Sequence, residues 1–98
     1  MFIVDIHYIA PLEEVDKYID GHVAYLKKYI DNNTFLITGR KVPRDGGILI
    51  ANGGSKEEIE KIIMEDPFHK HKVAEMTITE FLHARHNSAL DELLGKSV

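Results

Sequence analysis

His22 is the residue whose setting most invites chemistry. Between Leu12 and Asp31, the residues Val15, Ile19, His22, Leu26, Tyr29 and Ile30 recur every three or four positions and share one helical face. An aliphatic side chain would serve packing at position 22; an imidazole brings a group that titrates near neutrality. Packing alone accounts for it if its ring nitrogens are hydrogen-bonded. Acid–base work needs a partner that fixes the tautomer. Asp66 is the natural partner. It follows Ile62-Ile63-Met64-Glu65 and precedes Pro67, so it stands where a second helix must stop. An Asp-Pro turn is ordinary there. Even so, a carboxylate at a helix C-terminus is disfavoured by the macrodipole, and a nearby imidazolium or arginine would compensate.

Other side chains carry weaker signals. Tyr8 ends the first strand-like segment, where a phenol could hydrogen-bond a ligand oxygen, although edge tyrosines usually serve as amphipathic filler. Tyr25 is a second phenol of this kind. Arg40, which follows Gly39, stands beside Lys41 and Arg44 and reads most simply as a solvated turn residue. His69-Lys70-His71 and His83-Ala84-Arg85-His86 have spacings that can ligate zinc, nickel or copper. No carboxylate is patterned with them, and Lys70, Lys72 and Arg85 repel a dication. Surface histidines are therefore favoured and no metal is expected. Asn52-Gly53-Gly54-Ser55 superficially resembles a phosphate-cradling loop but lacks the P-loop lysine spacing, so a turn plus N-cap explains it and no cofactor is implied.

Composition narrows the field. The 98 residues suit one domain with a thin core, which makes self-association plausible. Twelve Lys+Arg against sixteen Asp+Glu give a net charge of −4, which disfavours a nucleic-acid partner. The absence of cysteine removes disulfides, thiol nucleophiles and thiolate metal sites. No apolar run reaches the roughly 20 residues of a membrane span, and the opening residues lack a signal-peptide layout, so a cytoplasmic protein is expected.

The elements that must position these residues follow from periodicity. Phe2, Val4, Ile6 and Tyr8 alternate with Ile3, Asp5, His7 and Ile9, a strand with one apolar face. Phe35–Thr38 and Ile48–Ala51 flank a glycine-containing turn and read as a hairpin. Val73 to Leu82 reads as a fourth strand. Ser55 with Glu58 forms a capping-box pattern for a helix buried through Ile59, Ile62 and Ile63. Gly21 interrupts the earlier helical stretch, and Asp20 is placed to cap a fresh helix there. That break matters: in a helix unbroken from Leu12, His22 would lie about 15 Å along the axis and could hardly meet Asp66.

The order is β-α-β-β-α-β, an α+β ferredoxin-like layout with a four-stranded antiparallel sheet and two helices on one face. The other face is half apolar and makes a candidate homodimer surface; two such sheets face to face form a barrel-like dimer. Residues 1–82 would form this domain. Residues 83–98 would form a tail whose Ala89, Leu90, Leu93 and Leu94 stand at helical spacing.

The same residues carry a resemblance. His22-Val23-Ala24-Tyr25-Leu26, Gly39, Gly47, Ser55-Lys56-Glu57-Glu58 and Asp66-Pro67-Phe68 resemble the YciI-like (YCII-related) family over Met1 to about Phe81. The resemblance implies a dimeric α+β barrel with a His–Asp pair in a pocket, here His22 and Asp66, and brings the aromatic Phe68 of the Asp-Pro-aromatic motif to the site. It also implies chemistry such as loss of chloride from a chlorinated hydroxyquinol, although substrates of most members are unknown. The chain departs from the pattern: Ile19-Asp20-Gly21 stands where Arg-Pro is usual, Arg40 follows Gly39 where proline is usual, and the tail is longer; against that pattern Arg40 is the candidate to take over the anion-holding role of the missing arginine.

Two functions follow as expectations. One is a cofactor-independent lyase or isomerase acting on a small polar or anionic cyclic compound, with His22 and Asp66 catalytic and Arg40, Tyr8 and Phe68 binding substrate. The other is a non-catalytic small-ligand or regulatory module using the same cleft, since the fold serves both. A purely structural interaction protein is favoured only by the tail.

Overall fold

The computed structural model describes residues 1–96. Its elements run β1 (Phe2–Tyr8), α1 (Leu12–Asp16), α2 (Ile19–Asp31), β2 (Phe35–Arg40), β3 (Gly46–Ala51), α3 (Lys56–Ile63), α4 (Pro67–Lys70) and β4 (Ala74–Glu80). A 3₁₀ turn at Ser88–Leu90 and a one-turn helix, α5 (Asp91–Leu94), form the tail. Ser97 and Val98, the end of the expected tail, lie outside the described residues.

The strands form one antiparallel sheet in the order β2-β3-β1-β4. This is the ferredoxin-like arrangement read from the sequence, with the first and third strands central. Strand β1 buries Phe2, Val4 and Ile6 while Ile3 and His7 stay exposed, as its alternation requires. The core lies under that face: Phe2, Phe35, Leu49, Ile59, Phe68, Val4 and Val15 are almost fully enclosed. Ser55 caps α3, its Oγ accepting the Glu58 N–H at 3.2 Å. Gly53 and Gly54 ahead of it have φ of +95° and +69°, which explains the glycines without any ligand.

Strand β2 departs from simple alternation. Its pairing to β3 shifts between Phe35 and Ile37. Phe35 pairs with Ala51 and faces the core; beyond the irregularity Thr38 pairs with Leu49 and Arg40 with Gly47. Paired residues share a face, and Gly47 pairs in turn with the buried Ile6. Arg40 therefore stands on the helix-covered side as the last residue of β2, a strand position rather than a turn, and it is exposed, as the solvated reading expects.

Two further boundaries differ from expectation. The helical stretch breaks at Lys17-Tyr18, not at Gly21: α2 begins at Ile19 with Tyr18 as N-cap, and Asp20 lies in its first turn. A stack of Tyr18 on the His71 ring, 4.0 Å between centroids, accompanies that break. The second helix stops at Ile63, and Asp66 begins a separate short helix.

Candidate active site

Asp66 takes the N-cap of α4 rather than the C-terminus of α3. Pro67 at the first helical position has the fixed φ a helix start needs. Asp66 Oδ1 accepts the Phe68 N–H at 2.9 Å. The electrostatic problem foreseen for a carboxylate at a helix end is thus reversed: an anion at a helix start is favoured.

The same oxygen meets His22. His22 Nδ1 lies 2.8 Å from Asp66 Oδ1, and both residues are buried, at 8% and 2% exposure. A carboxylate can only accept, so the imidazole supplies the proton from Nδ1, which leaves the lone pair on Nε2. The two residues meet because α2 and α4 approach closely at Gly21. A Cβ on Gly21 would lie 3.2 Å from the Pro67 ring, so the absence of a side chain lets the start of α2 lie against Pro67. The Phe68 ring stacks on the imidazole at 3.9 Å and 9° and meets the Tyr8 ring edge-on at 5.8 Å. His22 is held by a hydrogen bond on one nitrogen and by an aromatic face.

A cavity of about 160 Å³ opens beside the ring, between the start of α2 and the ends of β1, β2 and β3. Its apolar walls include Ile6, Ile19, Val23, Leu26, Leu49 and Phe68; its polar groups are His22, Tyr8, Thr38 and Arg40. Arg40 is the formally charged side chain of this lining, so the cavity leans positive. Asp66 lies behind His22 and does not line it. Gly46 and Gly47 form part of the wall because backbone fills the space: a Cβ on Gly46 would lie 1.7 Å from the Ile6 carbonyl oxygen.

The structure therefore gathers His22, Asp66, Phe68, Tyr8 and Arg40 around one cavity and leaves Tyr25 out of it. The Tyr25 phenol donates to the Ile62 carbonyl oxygen at 2.8 Å, and burial, reinforced by the negative charge of Asp66, pushes its ionisation well above the usual range. Sequence reasoning missed Thr38 and the Arg44 prop. Arg44 pairs with Asp16 of α1 and lies with its guanidinium 5.9 Å from the Tyr8 ring centre, bracing the cavity's rim. Among the described residues, no group of three or more His, Asp or Glu is arranged to hold a metal.

A family model for the YCII-related domain matches residues 1–82. The chain belongs to the YCII-related family. No curated protein matches it. Among solved structures, it is similar to 5-chloro-2-hydroxyhydroquinone dehydrochlorinase (TftG) from Burkholderia phenoliruptrix, solved with 2,5-dihydroxybenzoquinone. The TM-score is 0.71 at 20% identity, covering 90% of this YCII-related chain and 100% of the other. At that identity the likeness establishes the shared fold. No helix among the described residues is long and apolar enough to cross a membrane.

Proposed function

We propose that this YCII-related protein is a small cytoplasmic enzyme that removes a proton from a single-ring polar or anionic compound, driving elimination or isomerisation. The observation that carries this reading is the buried 2.8 Å His22–Asp66 contact at the wall of the 160 Å³ cavity. A cavity of about 150 Å³ holds a benzene-sized ring, so one ring with small substituents fits. Apolar walls suit the ring faces, and Arg40 suits an ionised oxygen or carboxylate.

In this mechanism His22 Nε2 accepts a proton from a ring carbon. The electrons of that C–H bond form a new π bond. In an elimination a leaving group departs with the electron pair of its own bond; in an isomerisation the proton returns to a different carbon. Asp66 keeps Nδ1 protonated and stabilises the imidazolium without itself taking the proton, the role carboxylates play in other His–Asp pairs. Phe68 fixes the ring plane, and the Tyr8 hydroxyl offers a hydrogen bond to a substrate oxygen. A positioned base of this kind supplies about 10²–10⁴-fold, enough for an already acidic C–H bond and far too little for amide hydrolysis. The active unit is proposed to be a homodimer paired through the uncovered sheet face, where Ile3, Ile37, Ile48 and Ile50 stand together by register.

The test uses 2,5-dihydroxybenzoquinone, the ligand of the similar dehydrochlorinase. Thermal unfolding is followed with and without it for wild type, Arg40→Gln and His22→Asn, and chloride release is followed with a chlorinated hydroxyhydroquinone. Stabilisation of wild type that Arg40→Gln weakens, with chloride release abolished in His22→Asn, supports the enzyme reading. Binding without turnover of this compound or a panel of single-ring acids leaves the ligand-binding module as the better description.

A further inference from the structure

The proton of the Tyr8 hydroxyl is left uncommitted by the rest of the chain. The phenols of Tyr25 and Tyr29 are engaged, the first donating to the Ile62 carbonyl oxygen at 2.8 Å and the second to the Glu65 carboxylate. The Tyr8 hydroxyl proton has no acceptor among the described residues, and this half-buried residue lines the same cavity as His22. Phe68 places the two side chains: its ring stacks on the imidazole at 3.9 Å and meets the Tyr8 ring edge-on at 5.8 Å. A single ring seated in the cavity therefore meets an imidazole and a phenol together. The β2–β3 turn supports Tyr8 from outside. The Tyr8 N–H donates to the Asp45 carbonyl oxygen at 2.8 Å, and the Lys41 N–H closes the turn on the Gly46 carbonyl oxygen at 3.0 Å. The same turn carries Arg44, whose guanidinium carbon lies 5.9 Å from the Tyr8 ring centre. Asp16 of α1 anchors that guanidinium. The hydrogen bond to Asp16 is the chief reason Arg44 is held above its ordinary pKa, and Tyr8 adds to the effect. Arg44 Nε is buried and has no hydrogen-bond partner among the described residues. The cation is fixed beside Tyr8 with only part of its donor set satisfied.

We propose that Tyr8 is the second proton-transfer group of the site, an acid working opposite His22, and that Arg44 is its positioning residue. The inference rests on the acid–base function proposed above and adds a requirement to its substrate: a ring carbonyl beside the reacting C–H bond. His22 Nε2 takes the proton from that carbon, and the C–H electron pair becomes the C=C bond of an enol. The C=O π pair moves onto oxygen, which takes the proton of the Tyr8 hydroxyl. The phenolate left behind faces the Arg44 cation. Collapse runs the other way. The enol O–H returns its proton to Tyr8, and its electron pair rebuilds the carbonyl. The C=C pair then forms a new double bond as a leaving group departs with its own pair, or, relayed through a conjugated double bond, takes the proton from His22 at another carbon. After isomerisation both residues are as they began; after elimination His22 gives its proton to water. A base and a hydroxyl donor on one ring is the arrangement that enolises ring ketones. A donor aimed at the developing oxyanion acts chiefly on the transition state.

The experiment follows ring-proton exchange of 2,5-dihydroxybenzoquinone in heavy water by proton NMR, a process that moves protons at both ring carbon and ring oxygen. Binding of the same compound is titrated separately by its absorbance, and circular dichroism verifies folding. Wild type should accelerate exchange and His22→Asn should not. Tyr8→Phe keeps the ring that meets Phe68 and should slow exchange about 10²-fold or more, while binding stays within about threefold. Arg44→Gln should slow exchange about tenfold, and Arg44→Lys should restore most of that loss, a rescue that a packing role would not show. Exchange at the wild-type rate in folded Tyr8→Phe overturns the acid and leaves His22 as the base. Binding and exchange lost together in Tyr8→Phe also overturn it, because Tyr8 then only holds the ligand. An Arg44→Lys variant no faster than Arg44→Gln overturns the positioning role. A wild type that binds the compound without exchanging it overturns both the acid and the acid–base function beneath it.

Discussion

Replacing Asp66 with Asn and with Ala separates the two jobs its Oδ1 performs. That oxygen accepts both the Phe68 N–H and the proton on His22 Nδ1, at 2.9 and 2.8 Å. Asparagine places an amide oxygen at the same point, and it is as good an N-cap as aspartate. The cap survives; what is lost is the difference between a charged and a neutral acceptor, about 1 kcal/mol. Alanine strands two buried donors, the Phe68 N–H that the cap satisfied and the His22 N–H, at roughly 1–3 kcal/mol each. The expected cost is about 2–6 kcal/mol, above that of Asn. Urea unfolding measures both values. Nitrogen-15 NMR of the His22 ring supplies a second readout: wild type and Asp66→Asn should carry the proton on Nδ1, and Asp66→Ala should lose that preference. Equal destabilisation by Asn and Ala, or an unchanged ring tautomer in Asp66→Ala, would refute the geometry argued for the pair.

Gly46→Ala should not yield folded protein, because the new Cβ would sit 1.7 Å from a main-chain carbonyl oxygen of β1 that cannot move without unpairing β1 from β3; circular dichroism checks this. Tyr25→Phe should cost about 1 kcal/mol at neutral pH for the bond to Ile62. The folded Tyr25 phenol holds its proton to higher pH than in the unfolded chain, so wild-type stability should fall as pH rises above about 10, and Tyr25→Phe should flatten that decline in urea titrations. Glu65 is held below its ordinary range chiefly by the hydrogen bond from Tyr29, so its contribution is present above about pH 4.5 and fades as the solution is acidified below that. Because Glu65 is half exposed, the contribution is under about 1 kcal/mol, and Tyr29→Phe should reduce the stability difference between neutral and acid solution by no more than that.

Where local chemistry decides, the sequence could be read directly. The alternation in β1, the Ser55 cap and the strand order all follow from it, as does the candidacy of His22 and Asp66 as a pair. Tertiary contacts account for the rest. The break before α2 coincides with the stacking of Tyr18 on His71, a residue more than fifty positions away, while Gly21, the local interruption, serves a helix crossing instead. Asp66-Pro67 was legible in principle, since an N-cap aspartate followed by proline at the first helical position is a start signal; the apolar run before it made it read as a stop. Arg40 reads as a turn residue from its charged neighbours Lys41 and Arg44; pairing with Gly47 makes it the last residue of β2, still exposed. The stacking of Phe68 on His22 has no signature in spacing.

One carboxylate oxygen both starts α4 and orients His22, so the integrity of the site can be watched without any substrate. Turning the Asp66 carboxylate away breaks its bonds to the Phe68 amide and to His22 together. The deuteration rate of the Phe68 amide therefore sets an upper bound on how often that joint opening occurs.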